Sequence, residues 1–201
     1  DNPKAFISIL LVKQMFQLNK PVEEIKKHYD ALDAEVKKTK EGKEVADMLK
    51  KATEQKANKG TATVGSLAPN FSAPDSEGKT VSLEKSLGKV TIIDFWASWC
   101  KPCRMENPNV VALFNEYNSK GLKIIGVSLD KDEIKWKDAI AADKLAWLQV
   151  SNLKQWDEPI AKLYGVEGIP ATFILDASGK IVAKDLRGDQ LKAKIKELLG
   201  A

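Results

Sequence analysis

The sequence contains few residues that could bind a metal or form several disulfides. Its 201 residues include two cysteines, Cys100 and Cys103, and one histidine, His28. A structural zinc site needs four thiolate or imidazole ligands, which these three residues cannot supply. A disulfide between the two cysteines would close so short a loop that it would stabilise a fold only weakly. A zinc-binding fold and a small disulfide-stabilised secreted fold are therefore excluded, and we expect no bound metal or cofactor.

The chain also lacks a long apolar run and a strong charge of one sign. The apolar segment 5–12 is far shorter than the roughly 20 residues that span a bilayer. It lies between Lys4 and Lys13 and has no small-residue cleavage site after it, so it does not match an intact signal peptide. Because the chain starts at Asp1, we expect a processed or truncated end. The net charge of +4 does not favour nucleic-acid binding.

The N-terminal part of the chain is predicted to be helical. Residues 3–18 and 43–57 favour helix, and apolar side chains recur at three- and four-residue steps over 22–36, which predicts one amphipathic helix. Pro21 suits the first turn of that helix, with Asn19 as its cap. No residue pattern in these predicted helices is typical of a catalytic site, so we expect no catalytic residues in this segment.

A change of composition predicts a domain boundary. Small and turn-forming residues replace the helix formers over 57–66, so we divide the chain into an N-terminal helical segment, 1–63, and a second domain, 64–201. His28 lies at the edge of the apolar stripe of the first segment. With no acid or thiol placed to act with it, His28 is predicted to be a boundary residue of the helix rather than a catalytic group.

The second domain has the pattern of an α/β fold, in which strands alternate with helices. The predicted strands are 90–96, 122–129 and the hairpin 171–175 with 180–184, and 148–150 is a short additional candidate. The predicted helices are 102–119, with Pro108 as a kink, then 131–143, 157–164 and 189–199. The run 90–96 is almost entirely apolar, as expected of a central strand covered on both faces.

The C-x-x-C falls where this central strand ends and a helix begins. Helix N-termini present unpaired N–H groups and a positive dipole end, which favour a thiolate on Cys100. Cys100 is therefore the predicted nucleophile. Cys103 lies one turn further along, where it could attack a mixed disulfide on Cys100 and release the partner reduced.

Two acids are candidates for the proton transfer that this attack requires. Asp94 lies in the middle of the apolar strand, where desolvation should raise its pKa, and it could accept the proton of Cys103 as a general base. Glu106 follows Cys103 by three residues and shares its helix face. The alternative interpretations are a strand-end acid that reaches solvent and an exposed first-turn acid.

Trp99, Ile169 and Pro170 are the predicted substrate-binding residues. Trp99 directly precedes Cys100, and Pro170 directly precedes a predicted strand. A cis peptide bond at Ile169–Pro170 would leave the backbone of Ile169 free to pair with an extended substrate segment.

From about residue 64 onward, the chain resembles the TlpA/ResA-like thiol–disulfide oxidoreductases of the thioredoxin superfamily. The matching segments are 65–71, 75–79, 94–108 and 168–173. The resemblance implies a thioredoxin-like mixed sheet flanked by helices, an N-terminal hairpin near 70–83, an inserted strand–helix unit near 123–142 and a cis-proline at Pro170. It also implies an extracytoplasmic, periplasmic location, often with a membrane tether.

The same resemblance leaves the proton carrier undecided. Asp94 matches the buried aspartate of thioredoxins, and Glu106 matches the helix glutamate of the ResA-like branch. The resemblance does not cover residues 1–63, which look like the remainder of a larger N-terminal module.

The expected function is thiol–disulfide exchange, in the reducing direction, on extracytoplasmic proteins. The implied partners are protein disulfides or dithiols and a membrane electron-donor protein. A peroxiredoxin-like peroxidase is disfavoured, because Ile93 and Ala97 stand where its proline and threonine or serine are expected. A copper chaperone would need a histidine after the C-x-x-C, and there is none. A non-catalytic thioredoxin-like binding module is the remaining alternative.

Overall fold

The computed structural model of the chain describes residues 6–18, 20–60 and 62–200. The chain forms two units, with the division between Ala57 and Asn58. None of the helices within these described residues combines the length and apolar character needed to cross a membrane.

The first unit is helical and has its own apolar core. Its four helices are α1 (Phe6–Gln17), α2 (Val22–Asp30), α3 (Ala34–Lys38) and α4 (Lys40–Gly60). The core consists of the buried residues Ile9, Val12, Ile25, Leu32, Val36, Val45 and Leu49. The predicted cap of α2, Asn19, lies outside the described residues, and the prediction is wrong because Pro21 takes the N-cap position and Val22 is the first helical residue.

The prediction of one helix over 22–36 is wrong, because the chain leaves the helical conformation between α2 and α3. Asp33 has extended backbone angles, and its carboxylate accepts a hydrogen bond from the Glu35 N–H at 2.9 Å. Aspartate is a preferred N-cap because it satisfies a free N–H at a helix start. The local capping preference of Asp33 therefore begins a new helix, although Ile25 and Val36 still share one core.

The second unit begins with a two-stranded antiparallel hairpin, β1 (Ser72–Pro74) and β2 (Thr80–Ser82). A five-stranded sheet follows, in the order β5-β4-β3-β6-β7. Its strands are β3 (Val90–Trp96), β4 (Leu122–Ser128), β5 (Leu148–Val150), β6 (Ala171–Asp176) and β7 (Ile181–Lys184). The β3–β4 and β4–β5 pairs are parallel, and the β3–β6 and β6–β7 pairs are antiparallel.

Four helices accompany this sheet: α5 (Lys101–Tyr117), α6 (Glu133–Asp143), α7 (Pro159–Tyr164) and α8 (Gly188–Leu199). The mixed sheet with helices confirms the predicted thioredoxin-like fold. The hairpin and the β4–α6 unit lie where the resemblance places them. Helix α5 continues through Pro108.

Strand β3 is the centre of the sheet, and every one of its residues is buried. Asp94 lies in its middle, opposite Gly126 of β4 and Thr172 of β6. A Cβ atom at Gly126 would lie 2.1 Å from the Gln149 Oε1, so a side chain there would displace the amide group that accepts the Trp96 indole N–H. The close packing around β3 determines where the strand delivers Cys100.

Candidate active site

The two cysteines lie at the start of α5 and are joined by a disulfide. Cys100 is the N-cap of the helix, and its Sγ accepts a hydrogen bond from the Cys103 N–H at 3.2 Å. Pro102 lies in the first turn, where its missing N–H costs no helical hydrogen bond. The sulfur of Cys100 therefore takes the place that an oxygen takes in an ordinary helix cap.

Residue exposure does not distinguish the two cysteines in this oxidised form. Cys100 is 4% exposed and Cys103 is 2% exposed. What distinguishes them is position, because Cys100 ends the connection from β3 and Cys103 lies within α5, where it contributes to a small cavity. The predicted contrast in accessibility between the reduced thiols stays a prediction.

Both predicted acids face the cavity that Cys103 lines. The lining includes Asp94, Cys103, Glu106, Pro170 and Arg187, and the cavity has a volume of about 10 Å³. That volume is close to the minimum that one water molecule requires. The fold therefore brings four of the predicted site residues to one cavity: Asp94, Cys103, Glu106 and Pro170.

The Asp94 carboxyl group is buried and has no hydrogen-bond or ion-pair partner in the described part of the chain. The pKa of Asp94 is raised from 3.8 to about 7, chiefly by burial and to a smaller extent by the nearby negative charge of Glu106, while the positive charge of Arg187 lowers it. Desolvation dominates because a carboxylate is poorly stabilised inside the sheet. Asp94 can therefore exchange a proton near neutral pH.

Glu106 differs from Asp94 because both of its oxygens accept hydrogen bonds. Its Oε1 accepts the Gly188 N–H at 2.8 Å, and its Oε2 accepts the Asn109 side-chain amide at 3.1 Å. Gly188 is the first residue of α8, so Glu106 satisfies a free N–H at that helix start. Glu106 thus joins α5 to α8 beside the cavity.

The loop before β6 confirms the predicted cis peptide bond at Ile169–Pro170. Ile169 and Pro170 also line an open groove of about 420 Å³ that includes Arg187. The Arg187 guanidinium donates a hydrogen bond to the carbonyl oxygen of Pro170 at 2.6 Å. The cis-proline loop is therefore tied to the start of α8.

Trp99, the third predicted substrate-binding residue, lies on the surface. It is 48% exposed and contacts Trp156, which is 45% exposed, with 6.2 Å between the ring centroids. The preceding residue, Ser98, is bound by the buried Asp130. Two aromatic side chains thus lie next to the reactive pair.

Sequence reasoning missed three residues of this site: Asp130, Trp156 and Arg187. Arg187 lies in a loop and Trp156 in a single 3-10 turn, Gln155–Asp157, so neither stands in a periodic pattern, and no motif marks them. Asp130 follows a buried parallel strand that neighbours β3, and the carboxyl ends of such strands meet at one edge of a sheet. That signal could have identified Asp130.

Comparison with known proteins gives a family-model match, similar curated proteins and similar solved structures. The model of the AhpC/TSA family matches residues 64–184. The thiol–disulfide oxidoreductase ResA of Bacillus thuringiensis subsp. konkukian is 35% identical over 136 residues, which cover 68% of this chain and 76% of that protein. The thiol:disulfide interchange protein HelX of Rhodobacter capsulatus is 36% identical over 120 residues, which cover 56% and 62% of the two chains.

A solved structure matches the same part of the chain. The thioredoxin domain of a thiol–disulfide oxidoreductase from Bacteroides vulgatus superposes with a TM-score of 0.64 and 39% identity, and the match covers 68% of this chain and 98% of that domain. The fold, the disulfide at the start of α5 and these relatives agree. The chain belongs to the ResA-like thiol–disulfide oxidoreductases of the thioredoxin superfamily.

Proposed function

We propose that the protein reduces disulfides of protein substrates through a mixed disulfide at Cys100, which Cys103 resolves. The observation that carries this proposal is the helix cap formed by Cys100, whose Sγ accepts the Cys103 N–H. In the reduced protein the same N–H and the helix dipole would stabilise a thiolate at Cys100.

The exchange has two balanced steps. The Cys100 thiolate attacks one sulfur of the substrate disulfide, so the substrate S–S bond breaks, a mixed disulfide forms and one substrate thiolate leaves. The Cys103 thiolate then attacks the Cys100 sulfur and displaces the second substrate thiolate. The substrate gains two electrons, and the protein ends with the Cys100–Cys103 disulfide seen in the structure.

Asp94 is the group that we assign to accept the Cys103 proton. It shares a cavity with Cys103, and burial raises its pKa to about 7, near the pH at which a general base is most effective. One water molecule in the cavity would connect the two groups. Glu106 is less suited to this role, because its two oxygens already accept hydrogen bonds from Gly188 and Asn109.

Substrate binding is assigned to Trp99, Ile169 and Pro170. An extended substrate segment would pair with the backbone at Ile169 and place its cysteine over Cys100. The open groove beside Ile169 and Pro170 has room for the chain that flanks that cysteine.

The reducing cycle needs a dithiol donor, which we place at the membrane. The location that we propose is extracytoplasmic, in a periplasm, with a membrane tether outside the given sequence. This assignment rests on the resemblance to TlpA/ResA-like proteins. We assign residues 1–63 to a separate helical segment that is the remainder of a larger N-terminal module, in keeping with the Bacteroides vulgatus relative, whose matched part is one domain of its protein.

Neither alternative function is favoured. A peroxidase would need a proline and a hydroxyl side chain where Ile93 and Ala97 stand. A binding module without catalysis would not need a paired C-x-x-C at a helix start. The relatives described above are named for disulfide exchange.

The roles of the two cysteines predict opposite behaviour of their serine variants. Cys100→Ser should abolish the reduction of insulin disulfides, whereas Cys103→Ser should accumulate a covalent adduct, because the resolving thiol is missing. Non-reducing gels and mass spectrometry detect the adduct. The double variant is the control and should form none. Absence of an adduct with Cys103→Ser would contradict the assignment.

If the protein reduces its substrates, the Cys100–Cys103 couple should have a low reduction potential. Strong oxidants have a strongly stabilised reduced form, whereas in the described residues one N–H is the only hydrogen-bond donor to the Cys100 sulfur. We expect a reduction potential nearer to about −270 mV, as in thioredoxin, than to about −120 mV, as in DsbA. Equilibration with glutathione or dithiothreitol buffers measures it. A reduction potential near about −120 mV would instead indicate that the protein oxidises its substrates.

Burial of Asp94 predicts a pH-dependent cost to stability in the oxidised protein. Between about pH 4 and pH 7 the folded state keeps the Asp94 proton and the unfolded state loses it, so stability falls as pH rises. Asp94→Asn should remove this decrease in the free energy of unfolding, which amounts to a few kcal/mol because each pKa unit corresponds to about 1.4 kcal/mol. Denaturant unfolding over this pH range tests it, with the exposed Asp138→Asn as control. Parallel curves for Asp94→Asn and the wild type would refute it.

The two charged neighbours of Asp94 predict opposite changes in its titration. Arg187→Ala should raise the pKa of Asp94 above about 7, whereas Glu106→Gln should lower it, because each variant removes one Coulombic influence. Carboxyl 13C NMR of the oxidised protein follows the titration, and Asp94→Asn identifies the signal. Arg187→Lys keeps the positive charge and should change the pKa less. Shifts of the same sign in the first two variants would disprove this account.

A further inference from the structure

Trp156 is an exposed aromatic residue beside the reactive cysteines, and the functions proposed above do not use it. Its ring contacts Trp99, with 6.2 Å between centroids and an angle of 56° between the planes. Nearly half of each side chain is exposed. Since Trp99 directly precedes Cys100, any substrate bound covalently to Cys100 lies next to this aromatic pair.

Trp156 lies in a short 3-10 turn, Gln155–Asp157, and the loop that contains this turn has an uncommon conformation. Leu153 and Gln155 have φ values of 56° and 52°, in the left-handed region that side chains other than glycine disfavour. The fully buried Glu158 stabilises the loop, because its carboxylate accepts the Asn152 N–H at 2.9 Å and the Asn152 amide at 2.7 Å. Such strain persists only where surrounding contacts determine the geometry.

One buried residue connects the segments that carry the two tryptophans. The Asp130 carboxylate accepts the Ser98 N–H at 2.9 Å and the Ser98 hydroxyl at 2.6 Å. The Asp130 carbonyl oxygen accepts the Gln155 N–H at 3.4 Å. Asp130 is 1% exposed, so the acceptor of these bonds is buried, whereas the donors Ser98 and Gln155 are partly exposed. The neighbours of Trp99 and of Trp156 are therefore fixed to the same anchor.

We propose that Trp156 determines specificity by binding, together with Trp99, an aromatic side chain next to the substrate cysteine. This inference rests on the proposed exchange at Cys100. Indole rings bind other aromatic rings in edge-to-face or offset arrangements. Such pairs contribute binding free energy in addition to that from the apolar area that they bury. Because the loop already holds Trp156 in place, little conformational freedom is lost on binding.

The test compares two matched peptide disulfides, which carry tryptophan or glycine next to the cysteine, with bis(2-hydroxyethyl) disulfide as a small substrate. The wild type should reduce the tryptophan peptide with the higher kcat/KM. Trp156→Ala should lower the ratio of the two peptide kcat/KM values by about fivefold to tenfold, mainly through KM. Trp156→Phe should keep most of the preference. Ile134→Ala, an exposed apolar change on α6, is the matched control and should keep the ratio.

Each outcome bears on one of the two proposals. If the wild type reduces none of the three substrates, the proposed exchange fails. If it reduces both peptides equally well, or if Trp156→Ala slows all three substrates by the same factor, Trp156 has no role in specificity. An independent measurement avoids the alanine variant. In Cys103→Ser with a trapped peptide, the Trp156 indole NMR signal should move with the tryptophan peptide and not with the glycine peptide, and equal movement would overturn the inference.

Discussion

The site depends on the junction between β3 and α5. The sheet buries every residue of β3, so the strand has one position, and the chain that leaves it must place Cys100 at the start of the helix. The Cys100 sulfur then accepts a helix N–H that would otherwise lack a partner. A buried strand and an unsatisfied helix end thus combine to place one sulfur at the helix N-terminus, where we propose that it is the nucleophile.

The same burial that positions β3 makes its carboxyl group basic. Asp94 is almost fully buried, so its charged form is disfavoured, and the opposing charges of Glu106 and Arg187 adjust that effect. Those two residues also have structural roles, because Glu106 accepts the first N–H of α8 and Arg187 donates to the carbonyl of Pro170. The start of α8 therefore connects the cis-proline loop, the cavity and α5.

The sequence predicted those elements whose signal is local. The apolar run of β3, the C-x-x-C after it and the hairpin of β6 and β7 each stand in one short segment, and the structure places them as expected. The prediction of one helix over 22–36 was wrong because the apolar periodicity continues across Asp33. The carboxylate of Asp33 nevertheless favours the start of a new helix. Periodicity reports which face is buried, and it does not report where the backbone is interrupted.

The amino-acid order alone specifies the chemical groups and their succession: Cys100 before Cys103, an acid within the central strand and a proline before β6. The packing of the helices and strands specifies which distant residues meet these groups. Glu106 and Gly188 are 82 residues apart, and Ser98 and Asp130 are 32 residues apart. Trp156 reaches Trp99 from a short 3-10 turn. Such contacts depend on how the elements pack, because no pattern in either segment encodes the partner.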